Sequence, residues 1–114
     1  MPTSWITSVP STSSRFDESN ILWTAYVTWI DGLKDLSGRA RILMRVDRLI
    51  HGNPGGHRNL TDGVSELKID AGPGYRVYYS VRGDRLLLLL VGGDKSSQQK
   101  DITRAILLAK NFSE

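Results

Sequence analysis

The spacing of apolar positions changes along the chain, and each change predicts an element. Tyr26, Trp29, Ile30 and Leu33 recur at steps of three and four, which places them on one face of a helix over residues 25–36. Ser37 and Gly38 interrupt the pattern, with Ser37 standing where an N-cap would, and a second helix is predicted over residues 39–50. That helix carries an apolar stripe of Ile42, Leu43, Val46, Leu49 and Ile50 beside a row of Arg41, Arg45 and Arg48. So short a break makes the pair an antiparallel hairpin with one common core.

After the loop Gly52-Asn53-Pro54-Gly55-Gly56 the period drops to two. Leu67 and Ile69 alternate with Glu66 and Lys68 over residues 64–70, and Val77, Tyr79 and Val81 alternate with Arg76, Tyr78 and Ser80 over residues 75–81. Gly72-Pro73-Gly74 turns the first strand into the second. An unbroken Leu and Val run over residues 85–91, after the turn Gly83-Asp84, predicts a strand covered on both faces. Ile102, Ala105, Ile106 and Ala109 return to helical spacing over residues 98–111, and Phe112 extends the stripe. Residues 20–24 are a candidate for a short edge strand in front. The reading is an α+β fold: two N-terminal helices packed on a small antiparallel β-sheet, followed by a C-terminal helix. Residues 1–20, rich in Ser, Thr and Pro and without period, form an irregular or mobile N-terminal arm, and residues 21–114 form the single domain.

Composition narrows the function. At 114 residues the chain supports one core. The net charge of +3 conceals an asymmetry: residues 1–36 sum to −2 and residues 37–114 to +5, so a polyanion would bind the second part. There is no cysteine and there are only two histidines, His51 and His57, which excludes a disulfide framework and a thiolate metal site; no metal and no cofactor are expected. The longest apolar run is far short of the roughly 20 residues that span a bilayer, and the first residues lack a signal-peptide layout. No membrane role and a cytoplasmic location are expected. The glycine loop is not a phosphate-cradling P-loop, because His57-Arg58-Asn59 follows it where Gly-Lys-Ser/Thr would be needed.

Parity then gathers candidate chemistry. Arg76 and Tyr78 share one face of their strand, and Glu66 and Lys68 have the matching polar parity next door, which predicts an exposed concave face. Arg58 on the loop before these strands and Lys95 on the loop after them reach its rim, and His57 is the tunable imidazole beside it. Cations around a tyrosine suit RNA: preplaced donors stabilise the charge that develops on a scissile phosphate, and the 2′-hydroxyl brings its own nucleophile. Tyr78 would stack on a base or exchange a proton. On spacing alone, the ordinary reading, a cross-strand Arg76–Glu66 pair with Tyr78 as a surface aromatic, takes precedence.

The chain also carries Trp29-Ile30-Asp31-Gly32-Leu33-Lys34-Asp35, Arg39-Ala40-Arg41-Ile42, Gly63-Val64-Ser65-Glu66-Leu67-Lys68-Ile69, Gly72-Pro73-Gly74-Tyr75-Arg76-Val77-Tyr78-Tyr79 and Gly92-Gly93-Asp94-Lys95-Ser96-Ser97-Gln98, with Asp101-Ile102 following. In this order the motifs resemble the addiction-module killer proteins of the RelE/ParE toxin superfamily, on its HigB-like side, over roughly residues 24–112. The resemblance implies the toxin of a type II toxin-antitoxin system, an endoribonuclease that stops translation by cutting mRNA at the ribosome and is restrained by a helix-turn-helix antitoxin. The basic and polar positions of the relatives map onto Arg58, Lys68, Arg76, Tyr78 and Lys95; Arg76, Tyr78 and Lys95 are then expected to be catalytic and Arg58 and Lys68 to bind RNA, with His57 added to RNA binding from its place beside the loop. Gly56 stands where relatives carry an acidic residue, and the arm replaces the strand that opens their chains. The alternatives are a ParE-like toxin that binds gyrase without nuclease activity, and an attenuated RNA- or partner-binding module.

Overall fold

The computed structural model describes residues 15–93 and 95–112, and residues 1–14 of the predicted arm lie outside that range. Strand β1 (Ile21–Trp23) comes first, then helices α1 (Ala25–Asp31) and α2 (Leu36–Ile50). Strands β2 (His57–Asn59), β3 (Val64–Lys68), β4 (Arg76–Arg82) and β5 (Arg85–Gly92) follow, then a 3₁₀ turn (Lys95–Ser97) and helix α3 (Gln98–Asn111). The sheet order is β1-β5-β4-β3-β2. The fold is α+β as expected, but the helices are preceded by a strand, and the sheet is mixed rather than wholly antiparallel. β1 pairs parallel to β5, Ile21 opposite Leu86. The expected loss of an opening edge strand is therefore corrected, because Ile21 is buried against the core and holds that place. β2, on the opposite edge, carries three exposed residues and no apolar alternation, so hydrophobic patterning could not announce it.

The first helix is shorter than its periodicity suggested, and the second starts earlier, for one local reason. Asp35, not Ser37, caps α2, its carboxylate accepting from the Gly38 amide at 3.0 Å. The other carboxylate oxygen accepts from the Tyr75 hydroxyl at 2.8 Å. Gly38 lies inside the helix rather than breaking it. A Cβ there would meet the Tyr75 ring at 2.5 Å and Asp35 at 2.6 Å, so only glycine lets α2 approach this closely.

Both faces of the sheet are covered. On one, Tyr26 and Ile30 of α1 and Ile42, Val46 and Leu49 of α2 pack on Leu67, Val77, Tyr79, Leu86, Leu88 and Val91, with Phe16 joining the same cluster. On the other, Ala105 and Ala109 of α3 bring that helix down on Val64, Tyr78, Leu87, Leu89 and Leu90. A bulge between Tyr78 and Tyr79, where the register steps from Leu90 to Leu88, accommodates Leu89 in this second cluster. β5 is buried from Leu86 onward, as its unbroken apolar run predicts. β4 is not the half-exposed strand its alternation suggests: residues 76–80 are all buried, while Val81, expected in the core, is 43% exposed.

Candidate functional site

α3 decides where the polar face of the sheet stays open. The helix is tied at its end by Arg82, which donates to the Ala109 carbonyl at 2.6 Å and the Phe112 carbonyl at 3.3 Å. It is tied at its start by Gln98, whose Nε2 donates to Glu66 Oε2 at 2.9 Å. Between those ties it covers Tyr78. Beyond its first turn the face opens into a cleft of about 600 Å³ lined by Arg45, Gly56, His57, Arg58, Glu66, Lys68, Asp70, Arg76 and Gln98.

Glu66 is the centre of this cleft. Its register partners are Arg58 on β2 and Tyr78 on β4, while Lys68 faces Arg76 one pair further along. Arg58 Nη2 lies 3.2 Å from Glu66 Oε1 and Arg76 Nε lies 3.7 Å from Oε2. The two arginines differ in freedom. The Arg58 side chain is 57% exposed, whereas Arg76 is 8% exposed and also donates to the Gly74 carbonyl at 3.0 Å. Arg76 is thus the buried ion-pair partner of the carboxylate, and Arg58 is the largely exposed one.

The predicted residues separate accordingly. Arg58, Lys68, Arg76 and His57 line one cleft; Tyr78 and Lys95 do not. Tyr78 is fully buried under α3, which corrects its placement on an exposed face: a base cannot stack on a ring that Leu87, Leu89, Leu90 and Ala105 already cover. Burial, and after it the negative charge of Glu66, hold the phenol well above its ordinary value. No hydrogen bond of ordinary geometry satisfies its hydroxyl among the described residues. The ring also contributes to a tight corner. A Cβ at Gly92 would lie 3.2 Å from Tyr78 Cε2 and 2.7 Å from the Asp101 carboxylate, which accepts from Ser97 Oγ at 2.8 Å. Lys95 sits exposed on the 3₁₀ turn ahead of Gln98.

Two residues that periodicity left without a role complete the site. Arg45, the middle of the arginine row on α2, donates to the carbonyls of Lys68 at 2.7 Å, Pro54 at 2.9 Å and Gly56 at 2.9 Å. It therefore braces the glycine loop against the end of β3. Gln98 was visible only as the last letter of a motif. Among the described residues no three His, Asp or Glu side chains gather as metal ligands, and no helix is long and apolar enough to cross a membrane.

Fold and cleft together define a small α+β protein with an open groove at its sheet, lined by Arg45, Arg58, Lys68 and Arg76 together with Glu66 and Asp70. The chain belongs to the family described as Phage derived protein Gp49-like (DUF891), matched over residues 28–113, a RelE/ParE-like toxin family of toxin-antitoxin systems. An uncharacterized protein of Haemophilus influenzae is 48% identical over 85 residues, which span 75% of this chain and 86% of the relative. No solved structure matches the chain.

Proposed function

We propose that this toxin stops translation by cutting mRNA at the ribosome, and that a helix-turn-helix antitoxin restrains it. The observation that carries the reading is the arrangement around Glu66: a buried carboxylate paired with Arg76 and Gln98 on one oxygen and on the other with a largely exposed Arg58, in the lining of an open cleft rich in cations. Arg58 and Lys68 take the phosphate oxygens of the RNA. Once Arg58 has turned to the phosphate, Glu66 Oε1 is free to accept the proton of the 2′-hydroxyl. Arg76 lends its charge from beneath as the phosphorane forms, in a site where burial strengthens each charge. The attack is intramolecular, so positioning supplies much of the rate. Tyr78 supports the floor, and Lys95 contacts RNA backbone beyond the cleft.

A cell-free translation reaction programmed with a full-length transcript tests this. The protein should block synthesis and leave transcripts with discrete new ends, and Glu66→Gln should slow cleavage about 100- to 10,000-fold, the usual contribution of a positioned acid or base. Blocked synthesis over intact RNA would overturn the reading. Inhibited DNA supercoiling in place of RNA cleavage would assign the protein to gyrase-directed toxins.

A further inference from the structure

We infer that Arg45 is a positioning residue for RNA binding, holding strand β2 where Arg58 meets Glu66; the inference rests on the RNA reading above. β2 has little else to hold it. All three of its residues are exposed, so none roots it in the core, and its one neighbour in the sheet is β3. Its far end is tied to β3 twice: Ser65 Oγ donates to Asn59 Oδ1 at 2.9 Å, and the Leu60 amide donates to the Val64 carbonyl at 2.8 Å. Its entry follows Gly55-Gly56, which bring no side chain to pack.

Arg45 supplies the tie at that end. The side chain is half-buried, and its Nη2 donates to the carbonyls of Pro54 and Gly56, both at 2.9 Å, while Nη1 donates to the Lys68 carbonyl at 2.7 Å. Gly55 makes the double grip possible, because its φ of 66° turns the chain so that the carbonyls on either side of it converge on one nitrogen. A Cβ at Gly55 would lie 3.4 Å from that nitrogen, so the loop closes around the guanidinium. Gly56 is the last residue before β2, and Lys68 is the last residue of β3, one step beyond the Leu67 that pairs with His57. One planar group thus sets the end of the ladder from which Arg58 reaches Glu66 Oε1 at 3.2 Å.

Arg45 lines the cleft, yet its role there differs from that of the other cations. Both hydrogens of Nη2 are taken by the glycine loop and one of Nη1 by β3, so this arginine contributes geometry. Arg58, largely exposed, contributes the contact. A planar fork can span carbonyls from two segments, whereas the ammonium of a lysine is a compact point charge that cannot. Substitution of Arg45 by lysine therefore keeps the charge of the cleft and releases the entry of β2.

The test is a double-mutant cycle on the full chain with a short single-stranded RNA, read by fluorescence anisotropy, beside hydrogen exchange of the same proteins without RNA. Arg45→Lys should weaken RNA binding on the order of tenfold, as much as Arg45→Ala, and less than about twofold further once Arg58→Ala is present, the non-additivity of residues in one network. Amides of residues 57–59 should exchange faster in Arg45→Lys and at the wild-type rate in Arg58→Ala, while those of β5 stay protected in both and report an intact fold. Wild-type affinity in Arg45→Lys with a loss only in Arg45→Ala would make Arg45 a direct phosphate contact and overturn the inference. Unchanged exchange in β2, or equal losses with and without Arg58, would overturn it as well. If wild type binds RNA and the cycle is additive, the role of Arg45 alone falls; if wild type binds no RNA, the RNA reading falls and takes that role with it.

Discussion

Arg76 and Tyr78 stand two residues apart on the same face of β4, and the structure uses them in opposite ways. Arg76 ends in the floor of the cleft beside Glu66, where its charge faces an anion. Tyr78 ends beneath α3, in a cluster of leucines and alanines. Strand parity makes them equivalent, because parity reports only which face a side chain leaves from. What distinguishes them is the footprint of a helix that lies more than twenty residues further along the chain. The face is therefore divided along its length into a sealed half that holds the fold and an open half where the cleft lies.

The largest expected effect probes the sealed half. Tyr78→Ala should cost about 3–5 kcal/mol in denaturant unfolding, the range for deleting a large buried ring, because α3 cannot collapse into the space while Arg82 and Gln98 hold its two ends. A loss under about 1 kcal/mol, the range for surface sites, would mean that the ring is not packed as described.

A smaller pair of effects tests the difference between the two arginines on Glu66. Arg76→Ala strips a buried carboxylate of its buried partner and should cost about 3 kcal/mol, so its loss of activity will be accompanied by loss of stability. Arg58→Ala removes a largely exposed partner and should cost no more than about 1 kcal/mol. Its signature is binding: RNA affinity should fall, and the slope of log affinity against log salt should shrink by roughly 0.7, as expected for one phosphate contact on a single strand. Equal unfolding free energies for the two variants would erase the distinction between a buried and an exposed partner of Glu66.

The same contrast explains what could be read in advance. The helices and strands of the core were legible because Ile42, Val46 and Leu49, or Leu67, Val77 and Tyr79, repeat at the period of their element. The cation set of the cleft was legible for the same reason, since Arg76 and Lys68 share a parity and face each other in the register. Cover was not legible. That α3 seals Tyr78 depends on Ala105 and Ala109 being small enough to bring the helix close, a fact of packing that no spacing within β4 contains. β2 escaped because all three of its residues are exposed. Arg45 escaped because its partners are backbone carbonyls, which every sequence has everywhere.

The other side of the sheet has its own polar anchor, and it answers to acid. The Gly38 amide first, and then the Tyr75 hydroxyl, hold the Asp35 carboxyl below its ordinary value of 3.8. A carboxyl lowered on folding stabilises the protein fully above its unfolded value, and that contribution disappears as pH falls through the folded value. Melting temperature should therefore fall with acid below about pH 4 in part through this group. Asp35→Asn keeps a capping side chain but loses the contribution of the charge, so it should lower stability near neutrality and flatten the acid limb, the two profiles converging at low pH. An acid limb identical to wild type would show that Asp35 is not linked to folding.

The smallest expected effect is the sharpest test of the division within β4. Tyr78→Phe removes a hydroxyl that is buried near Glu66 without a hydrogen bond of ordinary geometry. An unsatisfied buried hydroxyl costs about 1–3 kcal/mol, so deleting it while keeping the ring should be neutral or stabilising by up to about 1 kcal/mol. Cleavage should persist, because the phenol is held protonated by burial and lies beneath α3 rather than in the cleft. If Tyr78→Phe instead abolishes cleavage while folding normally, the hydroxyl must reach the reacting phosphate. α3 would then have to lift from the sheet during the reaction, and the boundary between the sealed and open halves would be one that substrate moves.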